Sequence, residues 1–123
     1  MTQTVHLAIY DTLSDWEAGY ATAHINSGAW QRHPGRHRVA TVGETLDPVT
    51  TMGGMVLTPD VALADLDPAD SAMLILPGAE TWLNGGNQPF VEAARAFLAA
   101  GVPVAAICGA TGGLAAGGLL DDR

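Results

Sequence analysis

Val102-Pro-Val-Ala-Ala-Ile-Cys108-Gly-Ala-Thr-Gly-Gly113 is an apolar run that passes through one cysteine straight into a string of small residues. Val102 to Ile107 reads as a buried strand, and Gly109 to Gly118 as a helix whose small side chains pack close to a sheet. Cys108, the sole cysteine of the chain, then stands at the corner between them. A nucleophile elbow is a sharp strand-to-helix turn that exposes one side chain, and its crowding demands small residues two before and two after. Ala106 and Ala110 satisfy that demand, and Gly109 removes one more side chain. The helix that starts there directs its unpaired N–H groups and the positive end of its dipole at the sulfur, which favours thiolate over thiol. A lone cysteine is more commonly a small buried hydrophobe. The three local features together favour a reactive thiol here.

Upstream of the elbow the chain alternates strand and helix signals. Met73-Leu-Ile-Leu76, bounded by Pro77-Gly78, is a continuous apolar run expected to be central in a parallel sheet. Asn87 is expected to cap a helix with Pro89 in its first turn, a buried stripe of Phe90, Val91, Ala94, Phe97 and Leu98, and Gly101 at its end. Val5 to Ile9 reads as a first strand. Ser14-Asp-Trp-Glu17 then has the spacing of a capping box, which predicts a first helix laying Trp16, Tyr20 and Ala23 on the sheet and ending near Gly28. Val39 to Val42 is a second strand. Pro48 to Pro59 reads as a small hairpin or irregular excursion, and Ala62 to Leu66 as one turn of helix. This order predicts a flavodoxin-like, doubly wound α/β fold with a mostly parallel sheet and helices on both faces, in one domain over residues 1–123.

Composition narrows the chemistry. The chain has 123 residues, 48% of them apolar and 15% charged, which suits one hydrophobic core. Its five basic residues are all arginine, so a Schiff-base or P-loop lysine is excluded. A net charge of −8 repels phosphate backbones and anionic lipid, so neither nucleic acid nor membrane is an expected partner. From Ala96 to Leu120 no residue is charged, a length able to span a bilayer; Gly101-Val-Pro103 punctuates it into two shorter buried elements instead. No signal-peptide pattern opens the chain and one cysteine makes no internal disulfide, so the cytoplasm is the expected compartment.

Ligands of open parallel sheets gather at the carboxyl edge of the strands. Asp15 to Glu17, Pro77 to Glu80 and Cys108 all fall there. Glu17 has two competing roles: cap of the helix start, or a carboxyl that meets the sulfur and, when protonated, donates to a thiolate or oxyanion. Trp82 and Asn84 follow the central strand, where they line a pocket or cover the sheet edge. No histidine falls at that edge. His6 opens the first strand at its far end, and His24 lies about 10 Å down the helix from Glu17. His33 and His37 share a loop on the opposite edge, with Pro34 and Gly35 breaking any metal-binding helical face. No metal and no cofactor are expected.

These residues resemble the ThiJ/PfpI superfamily, the class I glutamine amidotransferase-like proteins. Three motifs carry the resemblance: Asp15-Trp-Glu17, Leu74-Ile-Leu-Pro-Gly-Ala79 and Ala105-Ala-Ile-Cys-Gly-Ala-Thr111. It implies that Cys108 is the nucleophile, that Glu17 hydrogen-bonds its sulfur, and that the N–H groups of Ala79 and Gly109 form an oxyanion hole. Protease-like members carry a histidine directly after the nucleophile, where this chain has Gly109, which argues against a peptidase. Family chains also continue beyond the elbow helix, so the chain reads as C-terminally truncated. The strand before Cys108 is then expected to expose apolar surface that a second copy buries, in a dimer or larger assembly. Three functions follow: a cysteine-dependent enzyme acting on a small carbonyl or amide substrate (amidotransferase-like hydrolysis or aldehyde detoxification), a non-enzymatic redox or stress sensor through oxidation of Cys108, and an inactive fragment.

Overall fold

In the computed structural model, which describes residues 2–123, the first strand, β1 (Gln3–Ala8), lies in the middle of a five-stranded parallel sheet. On one side it pairs with β2 (His37–Gly43), and beyond that with the two-residue β5 (Val61–Ala62). On the other side lie β6 (Met73–Leu76) and then β7 (Val104–Ala106). The spatial order is β5-β2-β1-β6-β7. Three helices complete the fold: α1 (Gly19–Ser27), α2 (Gln88–Ala99) and α3 (Gly109–Ala116). A short antiparallel hairpin, β3 (Val49–Thr50) with β4 (Val56–Leu57), stands apart from the main sheet. This is a doubly wound, flavodoxin-like α/β arrangement.

Side-chain alternation along the inner strands sorts the core into two layers. Leu74 and Leu76 of β6, with Val104 and Ala106 of β7, join Phe90, Val91, Ala94 and Phe97 of α2 and Ala110 and Leu114 of α3. Ile75, Met73 and Ala105 point the other way and meet Val5, Ala18 and Ile25. Helices therefore cover both faces, and the α1 side is much the thinner. β6 is an inner strand but stands fourth of five, because the expected order overlooked β5. β7 is an outer strand whose three residues are only half-buried.

The first helix departs from expectation. It begins at Gly19, not in the Ser14 turn, and none of its residues is fully buried. Trp16 is 66% and Tyr20 83% exposed, and Ala23 also faces solvent. The residues turned to the sheet are Ala18, Thr22 and Ile25, one helical stripe further round. The second helix keeps its buried stripe of Phe90, Val91, Ala94 and Phe97, with Leu98 packed beside it, and the chain leaves it through Gly101 at φ 75°. Asn87 is the N-cap residue of this helix, its carbonyl accepting from the Phe90 and Val91 N–H groups, but its side chain makes no cap bond. Its backbone is left-handed and its side-chain amide donates to Thr81 Oγ1 at 2.7 Å. The uncharged run from Ala96 to Leu120 divides into the end of α2, β7 and α3. No helix among the described residues is long and apolar enough to cross a membrane.

Candidate active site

Cys108 is exposed, and its backbone (φ 54°, ψ −124°) lies where L-residues rarely go. Such a conformation costs of order 1–3 kcal/mol and persists only where the surroundings impose it. Here they do. Ile107 N–H donates to Leu76 O at 3.0 Å, Ala110 N–H to Ile107 O at 3.2 Å, and Thr111 N–H to Cys108 O at 3.0 Å. Ala110 is fully buried under the turn. A methyl on Gly109 would lie 3.3 Å from Trp82 Cβ, and on Gly113 it would collide with the Trp82 ring. Small residues after the cysteine let α3 close on Trp82, and that packing sets the angle of the elbow.

Opposite the sulfur, the loop after β1 is stitched to the end of β6. Leu13 bridges Ala79, Ser14 N–H donates to Gly78 O at 2.9 Å, and Thr81 N–H reaches Thr12 Oγ1 at 3.3 Å. Within this loop the half-buried Glu17 turns its carboxylate across to Gly78, whose N–H donates to Oε2 at 3.3 Å. The capping box is therefore not formed: the helix N-cap is Ala18, and Glu17 holds a different strand end. A Cβ on Gly78 would lie 2.6 and 2.8 Å from the two Glu17 oxygens and 3.0 Å from Cys108 Cβ. Carboxyl and cysteine thus crowd the same glycine. Among the described residues no hydrogen bond joins the carboxyl to the sulfur directly. The N–H groups of Ala79 and Gly109 donate to no backbone or side-chain acceptor among those residues.

Residues 3–123 match the model of the DJ-1/PfpI family. The chain belongs to the DJ-1/PfpI family. It is 39% identical over 123 residues to the uncharacterized protease YoaZ of Bacillus subtilis, covering 99% of this chain and 59% of that protein. Among solved structures, a thiJ/pfpI family protein from Bacillus anthracis superposes with a TM-score of 0.88 at 42% identity, over 100% of this chain and 58% of the other. A DJ-1 superfamily protein from Agrobacterium tumefaciens follows at 0.84 and 29%, over 99% and 61%. The chain spans somewhat more than half the length of these relatives.

In this DJ-1/PfpI chain the remaining sequence candidates divide clearly. Trp82 is buried and, with Leu83, Gly86, Gln88, Gly112 and Gly113, lines an open groove of about 490 Å³ that Cys108 also borders. Asn84 is exposed and not part of that lining. His6 does not open β1 but is the fourth of its six residues, its Nδ1 2.7 Å from Ser71 Oγ. Burial, reinforced by Arg38, holds its imidazole below the ordinary value, with Asp70 opposing. His24 stacks on Tyr20 at a centroid distance of 6.2 Å on the outside of α1. No three of His, Cys, Asp and Glu cluster as metal ligands among the described residues.

Two further residues support this DJ-1/PfpI site, one within the Asp15-Trp-Glu17 motif and one with no sequence signal of its own. Asp15 accepts from Gly53 N–H at 2.7 Å, which ties the β3–β4 turn to the Glu17 loop. Tyr10, two residues past the end of β1, donates its hydroxyl to the Pro77 carbonyl and accepts from Trp82 Nε1 at 3.1 Å.

Proposed function

We propose that Cys108 is the nucleophile of a cysteine-dependent reaction on a small carbonyl or amide substrate. The observation that carries this reading is the left-handed backbone of Cys108, held at a strand-to-helix corner with Glu17 crowded against the same glycine. In the reaction, the thiolate sulfur bonds to the carbonyl carbon while the π electron pair moves to oxygen. The N–H groups of Ala79 and Gly109 receive the developing oxyanion, and Glu17 supplies a proton to it or to a departing amine. With an aldehyde the product of this step is a hemithioacetal. With an amide, loss of the amine leaves a thioester that water hydrolyses, regenerating the thiol. Peptide hydrolysis fits less well, because Gly109 stands where protease-like members carry a histidine.

One observation favours a second reading. Cys108 is exposed and no histidine approaches it among the described residues, so the same geometry serves a sulfur that is oxidised rather than acylated. The thiolate sulfur would attack one peroxide oxygen and break the O–O bond, giving a sulfenate and water, and the N–H donors would hold the added oxygen.

The test is the rate of Cys108 alkylation against pH in the wild-type chain and in Glu17→Gln. A half-maximal pH below the ~8.5 of a free thiol, displaced by the substitution, is expected. Coincidence of both profiles with a free thiol overturns both readings. Turnover of glyoxals or amides supports the first; mass spectra in which mild peroxide adds oxygen to Cys108 without turnover support the second.

A further inference from the structure

We propose that Tyr10 and Trp82 are positioning residues that clamp the Pro77–Gly78 peptide and so aim the Glu17 carboxyl at Cys108; the inference rests on the thiolate reading above. Tyr10 donates its buried hydroxyl to the Pro77 carbonyl. Trp82 Nε1 reaches both that carbonyl and the Tyr10 oxygen, each at 3.1 Å. The anchor is stiff, because the Tyr10 ring stands edge-on to Trp82 and Phe90 at centroid distances of 5.7 and 5.2 Å, and all three rings are buried. Burial raises the Tyr10 hydroxyl far above its ordinary titration range, so it remains a donor at alkaline pH.

Peptide geometry carries this constraint to the site. In a trans peptide the C=O and the following N–H lie in one plane and point in opposite directions, and the chain has no cis bond among the described residues. Fixing the Pro77 carbonyl toward the aromatic cluster therefore turns the Gly78 N–H the other way, onto Glu17 Oε2 at 3.3 Å. That bond engages Oε2 and leaves Oε1 with no hydrogen-bond partner among the described residues. The next plane obeys the same rule. The Gly78 carbonyl accepts from Ser14 N–H, so the Ala79 N–H points away from the Ser14 loop. The aromatic anchor thereby orients the Glu17 carboxyl, while the Ser14 N–H sets the plane of the Ala79 amide.

Tyr10→Phe keeps the ring and deletes the hydroxyl, which is both the donor to Pro77 and an acceptor for Trp82 Nε1. Alkylation of Cys108 with iodoacetamide is measured against pH for wild type, Tyr10→Phe, Glu17→Gln and the double variant, with thermal unfolding of each as a check on folding. Tyr10→Phe is expected to displace the half-maximal pH in the same direction as Glu17→Gln, by about half a unit or roughly threefold in rate on the acid limb. It is expected to add nothing once Glu17 is Gln, since the two act as one unit. A general loosening of the fold would shift the profile equally in both backgrounds, and that result overturns the clamp. So does a Tyr10→Phe profile that overlies wild type while Glu17→Gln differs. If instead wild type and Glu17→Gln both match a free thiol, the thiolate reading itself fails, which is a separate result. Should Tyr10→Phe not fold, Trp82→Phe in the same two backgrounds decides by the same criteria.

Discussion

Asp15 holds the Gly53 N–H at 2.7 Å, and through that bond the hairpin of β3 and β4 braces the loop that carries Glu17. The Thr51 hydroxyl keeps the Asp15 carboxyl below its ordinary value of 3.8; desolvation opposes it, and the Gly53 amide adds a smaller lowering. A carboxyl that loses its proton more readily when folded contributes stability above the unfolded value. That contribution is lost as pH falls through the lowered folded value. Unfolding temperatures across the acid range are expected to decline less steeply in Asp15→Asn than in wild type, and parallel curves would contradict the assignment.

Gly78→Ala tests the convergence point. Its methyl would sit 2.6 and 2.8 Å from the Glu17 oxygens and 3.0 Å from Cys108 Cβ, so the carboxylate or the elbow must shift. A loss of about 1–3 kcal/mol is expected from such overpacking, read as a lower urea midpoint. The Cys108 alkylation profile should change with it. An unaltered profile would mean that Glu17 yields without consequence for the sulfur.

What the sequence made legible was set by locality. Met73–Leu76 emerges as a strand with the expected bounds because an apolar run ends at Pro77-Gly78. The elbow at Cys108 is readable because its steric demand falls on immediate neighbours, Ala106, Gly109 and Ala110. Glu17 was ambiguous for a physical reason: a local cap and a distant acceptor use the same carboxylate, and Gly78 lies 61 residues away along the chain. The start of α1 moved with that choice. β5 has two residues, too few for any period. Tyr10 had no local signal at all, its partners Pro77 and Trp82 being 67 and 72 residues distant.

Two neighbouring glycines of α3 give opposite expectations. At Gly113 a methyl would collide with the Trp82 ring, whereas at Gly112 it would meet nothing within 4 Å. Gly113→Ala should lose about 1–3 kcal/mol, and Gly112→Ala should gain about 0.5–1 kcal/mol from helix propensity. Trp16 and Trp30 are largely exposed, so a blue-shifted component of the tryptophan emission belongs to Trp82. That component should move in the Gly113 variant alone.

His6 gives the second pH dependence. It is 6% exposed, and burial lowers its imidazole from the ordinary 6.5, with Arg38 adding to the effect and Asp70 opposing it. Below 6.5 the unfolded chain binds the proton that the folded chain refuses, so stability rises with pH up to that value and levels off above it. His6→Gln, which does not titrate, should flatten this limb of the stability curve. A wild-type curve already flat between the folded and unfolded values would show that the folded chain protonates His6 freely.

The strain at the elbow is itself measurable. Cys108→Ala removes the sulfur but keeps a Cβ at φ 54°, while Cys108→Gly removes both. At an ordinary position glycine is the worse residue by roughly 0.5–1 kcal/mol, owing to its freedom in the unfolded chain. Where an L-residue is held in a rare conformation, relief of about 1–3 kcal/mol opposes that penalty. Cys108→Gly is therefore expected to match or exceed Cys108→Ala in its urea midpoint, with equal slopes for the two variants. If alanine proves the more stable by the usual margin, the backbone at residue 108 is unstrained, and the fold does not hold this sulfur out against its own preference.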